Sequence, residues 1–279
     1  MAGSNLDDTL NKFVSVTTKS KVAVIVPLFG YWDDVVNKQL DLEVIKIAID
    51  RVYSSVHQLY IIFVAEARRL PRPVSNYIMS RQKAGNVFGV PIDKRGATYV
   101  DYFKKGVDFA LSETDAQFII NINPWIMTQE HSIDIMIDRV NVDDAKMICG
   151  FDLKGVIDAK FFDTYRQNAP VEERDINLDF FGCRRLTAEM ITVDENYKTH
   201  YFMARDMWQS LYSKGFEAIT TQRVPIFSFN VRWDDLESVN DFNSDKQVFI
   251  NKWKFAPNIE YIVSPPLEVV KEKEDEQGA

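Results

Sequence analysis

The sequence predicts an α/β fold with a twisted, mostly parallel sheet and helices on both faces. Three observations predict it. Short, uninterrupted apolar runs recur along the chain, each ended by Pro, Gly or polar residues, as strands buried on both faces require. The stretches between them carry apolar residues at helical spacing. The two kinds of segment alternate from residue 21 to residue 153, an order that places sequential strands parallel and packs their crossover helices on the sheet.

"KVAVIVPLFG" (21–30) is a strand that runs into a loop at Pro27 and Gly30. Asp33 or Asp34 can cap a helix in which Leu40, Val44, Ile47, Ala48 and Val52 share a face. "QLYIIFVAEA" (58–67) is the second strand, 75–85 a helix stopped at Gly85, and "NVFGVPI" (86–92) a third strand. Residues 97–114 are helical, with apolar positions 100, 103, 107 and 111. "FIINI" (118–122) is a strand, 129–140 a helix and "AKMICGFDL" (145–153) another strand. Beyond these the pattern is less regular, apart from a helix over 205–215 and a strand over 216–229. The ends differ in character. Residues 1–20 are polar and read as an arm, 21–263 as one domain with halves at 21–145 and 146–263, and 264–279 as an acidic solvated tail.

A chain of 279 residues with 46% hydrophobic and 13% aromatic content has a substantial core. Its net charge of −8 argues against a broad nucleic-acid surface, which needs many cations against phosphates. Cys149 and Cys183 form neither a disulfide framework nor a zinc spacing, and read as buried thiols. With no run of 18 apolar residues and a polar start, the protein is expected in the cytoplasm, without a transmembrane segment.

Several stretches resemble family 2 glycosyltransferases of the GT-A (Rossmann-like) fold. "VAVIVPLFGYWDDV" resembles that family's first strand and loop, and "IIFVAEA" stands where its second strand ends in acids. "KRGATYVDYFKKGVDFA" is similar to its Gly-led helix, and "DAQFIININPWIMTQEHSIDIMI" aligns without gaps on its strand, Asp-x-Asp motif and following helix. "VDENY", "LYSKGFEAITTQRVPIF" and the Lys-Trp element of "FINKWKF" match later family features, so the likeness spans about 20–255.

The resemblance implies a nucleotide-sugar donor lying over the first strands and a saccharide or glycan acceptor. Pro27, Leu28 and Phe29 would lie against the nucleoside, Glu66 would accept a hydrogen bond from the base, and Arg95 and Gly96 would approach the donor. Asn123 and Trp125 fall on the metal-binding acids. A hard cation wants anionic oxygens, whereas Asn offers one neutral oxygen and Trp only a donor N–H. Manganese or magnesium binding is therefore expected to be weak or absent. The charge on the leaving diphosphate would then fall to cations such as Arg184, Arg185, Arg95 or Arg205.

The acceptor-side acid is offset from the family pattern. Met203 and Ala204 occupy the ungapped position of its acid pair, and Asp206 is either the base or a helix cap. Of the histidines His57, His131 and His200, the last is nearest the acceptor side, where a surface position is expected. The aromatic set Tyr31, Trp32, Trp125, Tyr201, Phe202, Trp208 and Trp233 suits carbohydrate stacking or a protein interface, including a homo-oligomeric one. Two readings stand: a glycosyltransferase that works without metal, and an inactive GT-A domain that binds saccharide or serves in assembly. A dinucleotide-dependent oxidoreductase is disfavoured, because no G-x-G-x-x-G follows the first strand.

Overall fold

The computed structural model describes residues 19–29, 52, 54, 56–66, 70, 72–82, 85–128, 131–142, 147–152, 179–215, 218–228 and 238–255. The arm before Lys19, the helix expected after Asp33 or Asp34, and the acidic tail lie outside these residues.

Eight strands form one sheet: β1 (Lys21–Pro27), β2 (Gln58–Ala65), β3 (Val87–Pro91), β4 (Phe118–Ile122), β5 (Ile126–Thr128), β6 (Met147–Asp152), β7 (Phe180–Arg184) and β8 (Ala218–Ser228), in the order β3-β2-β1-β4-β7-β6-β8-β5. β1 pairs in parallel with β2 and β4, β2 with β3, and β6 with β8. β7 is antiparallel to both of its neighbours, β4 and β6, and β5 is antiparallel to β8. The carboxyl ends of β1 to β4 consequently share one edge.

Alternation along the strands builds two cores. Val22, Val24 and Val26, with Ile61, Phe63, Ile120 and Ile122, face α1 (Arg72–Gln82) and α3 (Ser132–Val142) through Val74, Ile78, Ile133, Met136 and Ile137. Ala23, Ile25, Ile62, Val64 and Ile119 face α2 (Tyr99–Glu113), α4 (Arg185–Met190), α5 (His200–Ser213) and α6 (Val239–Trp253). Burial on both faces is why the strands read as continuous apolar runs. α2 lies close to the sheet at Gly106, where a Cβ would collide with the side chains of Ile25 and Val64.

Four features differ from the sequence expectation. β5 spans only three residues, and β7 runs directly into α4 without a Gly or Pro between them. α6 is mostly polar, with Asp245 and Phe249 as its buried residues. α5 starts at His200 rather than 205, because Asp245 of α6 secures its start: Asp245 Oδ2 accepts from the backbone N–H of Lys198 (2.8 Å) and Thr199 (2.7 Å), and from the Thr199 hydroxyl (2.7 Å). No periodicity within α5 carries that tie. Among the described residues no helix is long and apolar enough to cross a membrane.

Candidate functional site

The carboxyl edge of β1 to β4 collects most of the donor-side residues named from sequence. Pro27 ends β1, and Leu28 N–H donates to the Val64 carbonyl (2.8 Å), which carries the β1–β2 pairing one step further. Leu28 turns into the core while Phe29 turns to the α2 face, edge-on to Tyr99 (5.8 Å) and Tyr102 (5.5 Å). Glu66 follows β2 directly and is buried. Pairing of Ile25 with Asn121, and of Pro27 with Val64, sets Asn123 level with Pro27 and Glu66 two residues beyond it.

Arg95 and Gly96 form the exposed turn before α2. Gly96 has φ +69°, a left-handed conformation that suits glycine. The turn is fixed by Asp101, whose carboxylate accepts from the Thr98 N–H (2.7 Å) and from Lys94 (2.8 Å).

Asn123 is fully buried and sits in a hydrogen-bonded chain. Tyr99 donates its hydroxyl to Asn123 Oδ1 (2.8 Å) and receives Asn121 Nδ2 (3.3 Å). Asn123 Nδ2 donates to the Asp179 carboxylate, and its backbone N–H to the Asp179 carbonyl (2.8 Å). His200 Nε2 lies 3.8 Å from Asp179 Oδ1, and its ring stands edge-on to Tyr99 at 4.9 Å. His200 is buried, against the surface position expected from sequence, and burial pushes its imidazole down to about 3, so it is neutral. An amide is what this position needs, since it must accept from a phenol and donate to a carboxylate, and an ionised Asp only accepts.

These residues do not fit a cation held in the family manner. The Asn123 oxygen is engaged by Tyr99, and Trp125 is a core side chain at 1% exposure, packed with Ile126, Ile133 and Met136. Among the described residues no three His, Cys, Asp or Glu side chains come together as a metal set.

Two arginines named for the diphosphate lie elsewhere. Arg184 pairs with Phe118 at the amino end of β4, the opposite edge of the sheet. The Arg185 guanidinium donates to the carbonyls of Leu111, Thr114 (3.0 Å) and Ala116 (3.3 Å), tying down the carboxyl end of α2. Neither reaches the carboxyl edge of β1 to β4. Arg205 lies over the Tyr201 ring at 5.4 Å.

Asp206 is not a helix cap. Thr199 is the N-cap of α5, so Asp206 lies two turns inside the helix. Its side chain is 2% exposed. Oδ1 accepts from Trp253 Nε1 (2.7 Å) and the Tyr197 hydroxyl (3.1 Å), and Oδ2 accepts from Lys252 Nζ (2.9 Å). Lys252 also reaches Asp194 Oδ2 at 2.9 Å. Burial, with Asp206 alongside, pushes the Tyr197 phenol up, so it remains a donor. The "VDENY" and Lys-Trp stretches were legible as motifs, but their meeting at Asp206 was not, because the three segments are separate in sequence.

Of the aromatic set, Trp125 and Phe202 are core residues, while Trp208 stacks on the exposed Tyr212 at 5.4 Å. Tyr31, Trp32 and Trp233 lie outside the described residues. Cys149 and Cys183 are buried thiols outside any disulfide, as expected, with the Cys183 thiol pushed up to about 12 by burial.

The architecture is that of GT-A glycosyltransferases. S. aureus TarS 1–349 superposes with TM-score 0.55 at 10% identity, over 85% of this chain and 66% of that one. The same TarS fragment in complex with UDP-GlcNAc gives TM-score 0.52 at 9% identity, over 85% and 68%. Mannosyltransferase PcManGT from Pyrobaculum calidifontis, in complex with GDP-Man and Mn2+, gives TM-score 0.51 at 12% identity, over 76% and 57%. The chain thus spans between about half and two-thirds of the length of these proteins. No protein-family model and no curated protein matches the sequence. At such identities the likeness establishes the fold.

Proposed function

We propose that this protein binds a nucleotide sugar at the carboxyl edge of β1 to β4 and transfers its sugar to a saccharide or glycan acceptor without a divalent cation. One observation carries the reading: a GT-A sheet brings Pro27, Phe29, Glu66 and Asn123 to the edge where open α/β sheets bind ligands. Phe29 shapes the wall against the nucleoside, Leu28 anchors that loop in the core, and Glu66 accepts from the base. Arg95 and the backbone around Gly96 approach the diphosphate, and a cation there offsets the charge of the leaving group. Asn123 with Asp179 and Tyr99 forms a rigid floor in place of the metal. Asp206 is the acceptor-side acid that takes the hydroxyl proton.

The second reading is an inactive GT-A domain that binds saccharide or serves in assembly. A specific observation favours it: the Asp206 carboxylate is buried and already accepts from three donors. Calorimetry with UDP- and GDP-sugars in EDTA tests the first step of the transferase reading. The transferase reading expects donor binding in EDTA, little changed by manganese, together with release of nucleoside diphosphate. Donor binding with no release would favour the inactive domain, and binding that requires manganese would refute the metal-free site.

A further inference from the structure

Three separate segments converge on Asp206: Asp194 and Tyr197 before α5, Asp206 within it, and Lys252 with Trp253 at the end of α6. An ionised carboxylate offers about four acceptor positions, two on each oxygen. Trp253 and Tyr197 occupy both on Oδ1, and Lys252 occupies one on Oδ2. Among the described residues no second donor is bonded to Oδ2.

The tie runs in both directions. α6 sends Asp245 to the start of α5, and α5 sends Asp206 to the end of α6, with 46 residues separating the partners in each case. Two contacts of opposite sense at opposite ends prevent the helices from sliding past one another. The indole of Trp253 adds a rigid donor, whereas Lys252 is shared between Asp206 and Asp194 and lies over the Trp253 ring at 5.6 Å.

We infer that Lys252 and Trp253 are positioning residues for proton transfer: the end of α6 holds Asp206 so that the remaining acceptor position of Oδ2 faces the acceptor hydroxyl. The inference rests on the reading of the domain as a transferase. In the step it serves, the hydroxyl oxygen bonds to the anomeric carbon. The bond from that carbon to the diphosphate breaks, its electron pair leaves with the nucleoside diphosphate, and the hydroxyl proton passes to Oδ2. Lys252 and Trp253 touch neither donor nor acceptor and act only through Asp206.

The test uses the full chain and the variants Lys252→Met, Lys252→Arg and Trp253→Phe, which keep most of the side-chain volume. UDP-GlcNAc and GDP-mannose serve as probes, with water as the acceptor. Donor affinity is read by calorimetry, turnover by nucleoside diphosphate release, and folding by Tm. Lys252→Met and Trp253→Phe are expected to lower turnover about tenfold or more, the scale of a small misplacement of a reacting group, at unchanged donor affinity. Lys252→Arg is expected to restore most of it. Unchanged turnover in the first two variants overturns the inference and leaves the transferase reading standing. Parallel loss of donor affinity, turnover and Tm, without rescue by arginine, also overturns it, because that is the pattern of a purely structural tie. A wild type that binds neither probe, or binds without turnover, removes the transferase reading and the inference together.

Discussion

Trp253 donates its indole N–H to Asp206 at 2.7 Å and so joins the last helix to the acceptor-side helix. With Lys252 and Tyr197 it leaves Asp206 nearly solvent-free yet fully hydrogen-bonded on one oxygen. Removing such a partner strands buried donors. Asp206→Ala should therefore cost about 3 kcal/mol in urea denaturation, the scale of a broken buried pair, rather than the roughly 1 kcal/mol of a lost helix cap. If Asp206 takes the proton, Asp206→Asn should lower turnover roughly a hundredfold with donor binding intact.

Gly106 gives a second, independent check. Alanine ordinarily improves a helix by about 1 kcal/mol, but here the added methyl meets Ile25 and Val64 of the sheet. Overpacking of that kind costs about 1–3 kcal/mol. Gly106→Ala is expected to lower Tm, measured by calorimetric scanning; a raised Tm would show that α2 can lift off the sheet at no cost.

His200 makes stability depend on pH in a defined direction. Its imidazole is pushed down to about 3 in the folded chain by burial, which outweighs the attraction of Asp179 3.8 Å away. The unfolded state protonates near 6.5, so the contribution is fully present above that pH and is lost as pH falls towards 3. Each unit of that fall costs about 1.4 kcal/mol. Between pH 6.5 and 5 the wild type should lose about 2 kcal/mol more than His200→Gln. Equal slopes in urea titrations of the two proteins would contradict a neutral, buried His200.

Asn123→Asp restores one acid of the family motif in a place built for an amide. The change removes the donor to Asp179 and sets two carboxylates together. Like charges at such range raise one carboxyl's pKa, so the variant should be least stable at neutral pH and regain stability as pH falls towards 5. Stability equal to wild type at pH 7 would show that the chain through Tyr99, Asn123 and Asp179 is not sensitive to charge.

The nucleotide-side half of the sheet was legible because its strands are buried on both faces and its helices are amphipathic: apart from the helix expected after Asp33 or Asp34, which lies outside the described residues, each expected element from β1 to β4 appears within a few residues of its predicted bounds. Pro27, Phe29, Glu66 and Asn123 were placed at one edge by the same parallel order. Beyond β4, the strands expected at 145–153 and 216–229 appear as β6 and β8, but short β5, β7 fused to α4, and the polar α6 were not legible because they leave no periodic signature. Arg184 and Arg185 were misjudged because an antiparallel strand carries its end to the opposite edge from a parallel one. Trp125 looked like a ligand-facing residue because position alone does not show which way a turn residue points, and it points into the core.

The account turns on a donor that sits at this edge without a metal. A crystal structure of the protein soaked with UDP-GlcNAc or GDP-mannose and manganese, with anomalous data collected at the manganese edge, tests it most directly. The account predicts a nucleobase beside Glu66 and Phe29, a diphosphate near Arg95 and Gly96, and no anomalous peak between the diphosphate and Asn123. A manganese ion bridging the diphosphate to Asp179 or Asn123, or a nucleotide bound away from the carboxyl ends of β1 to β4, would contradict it.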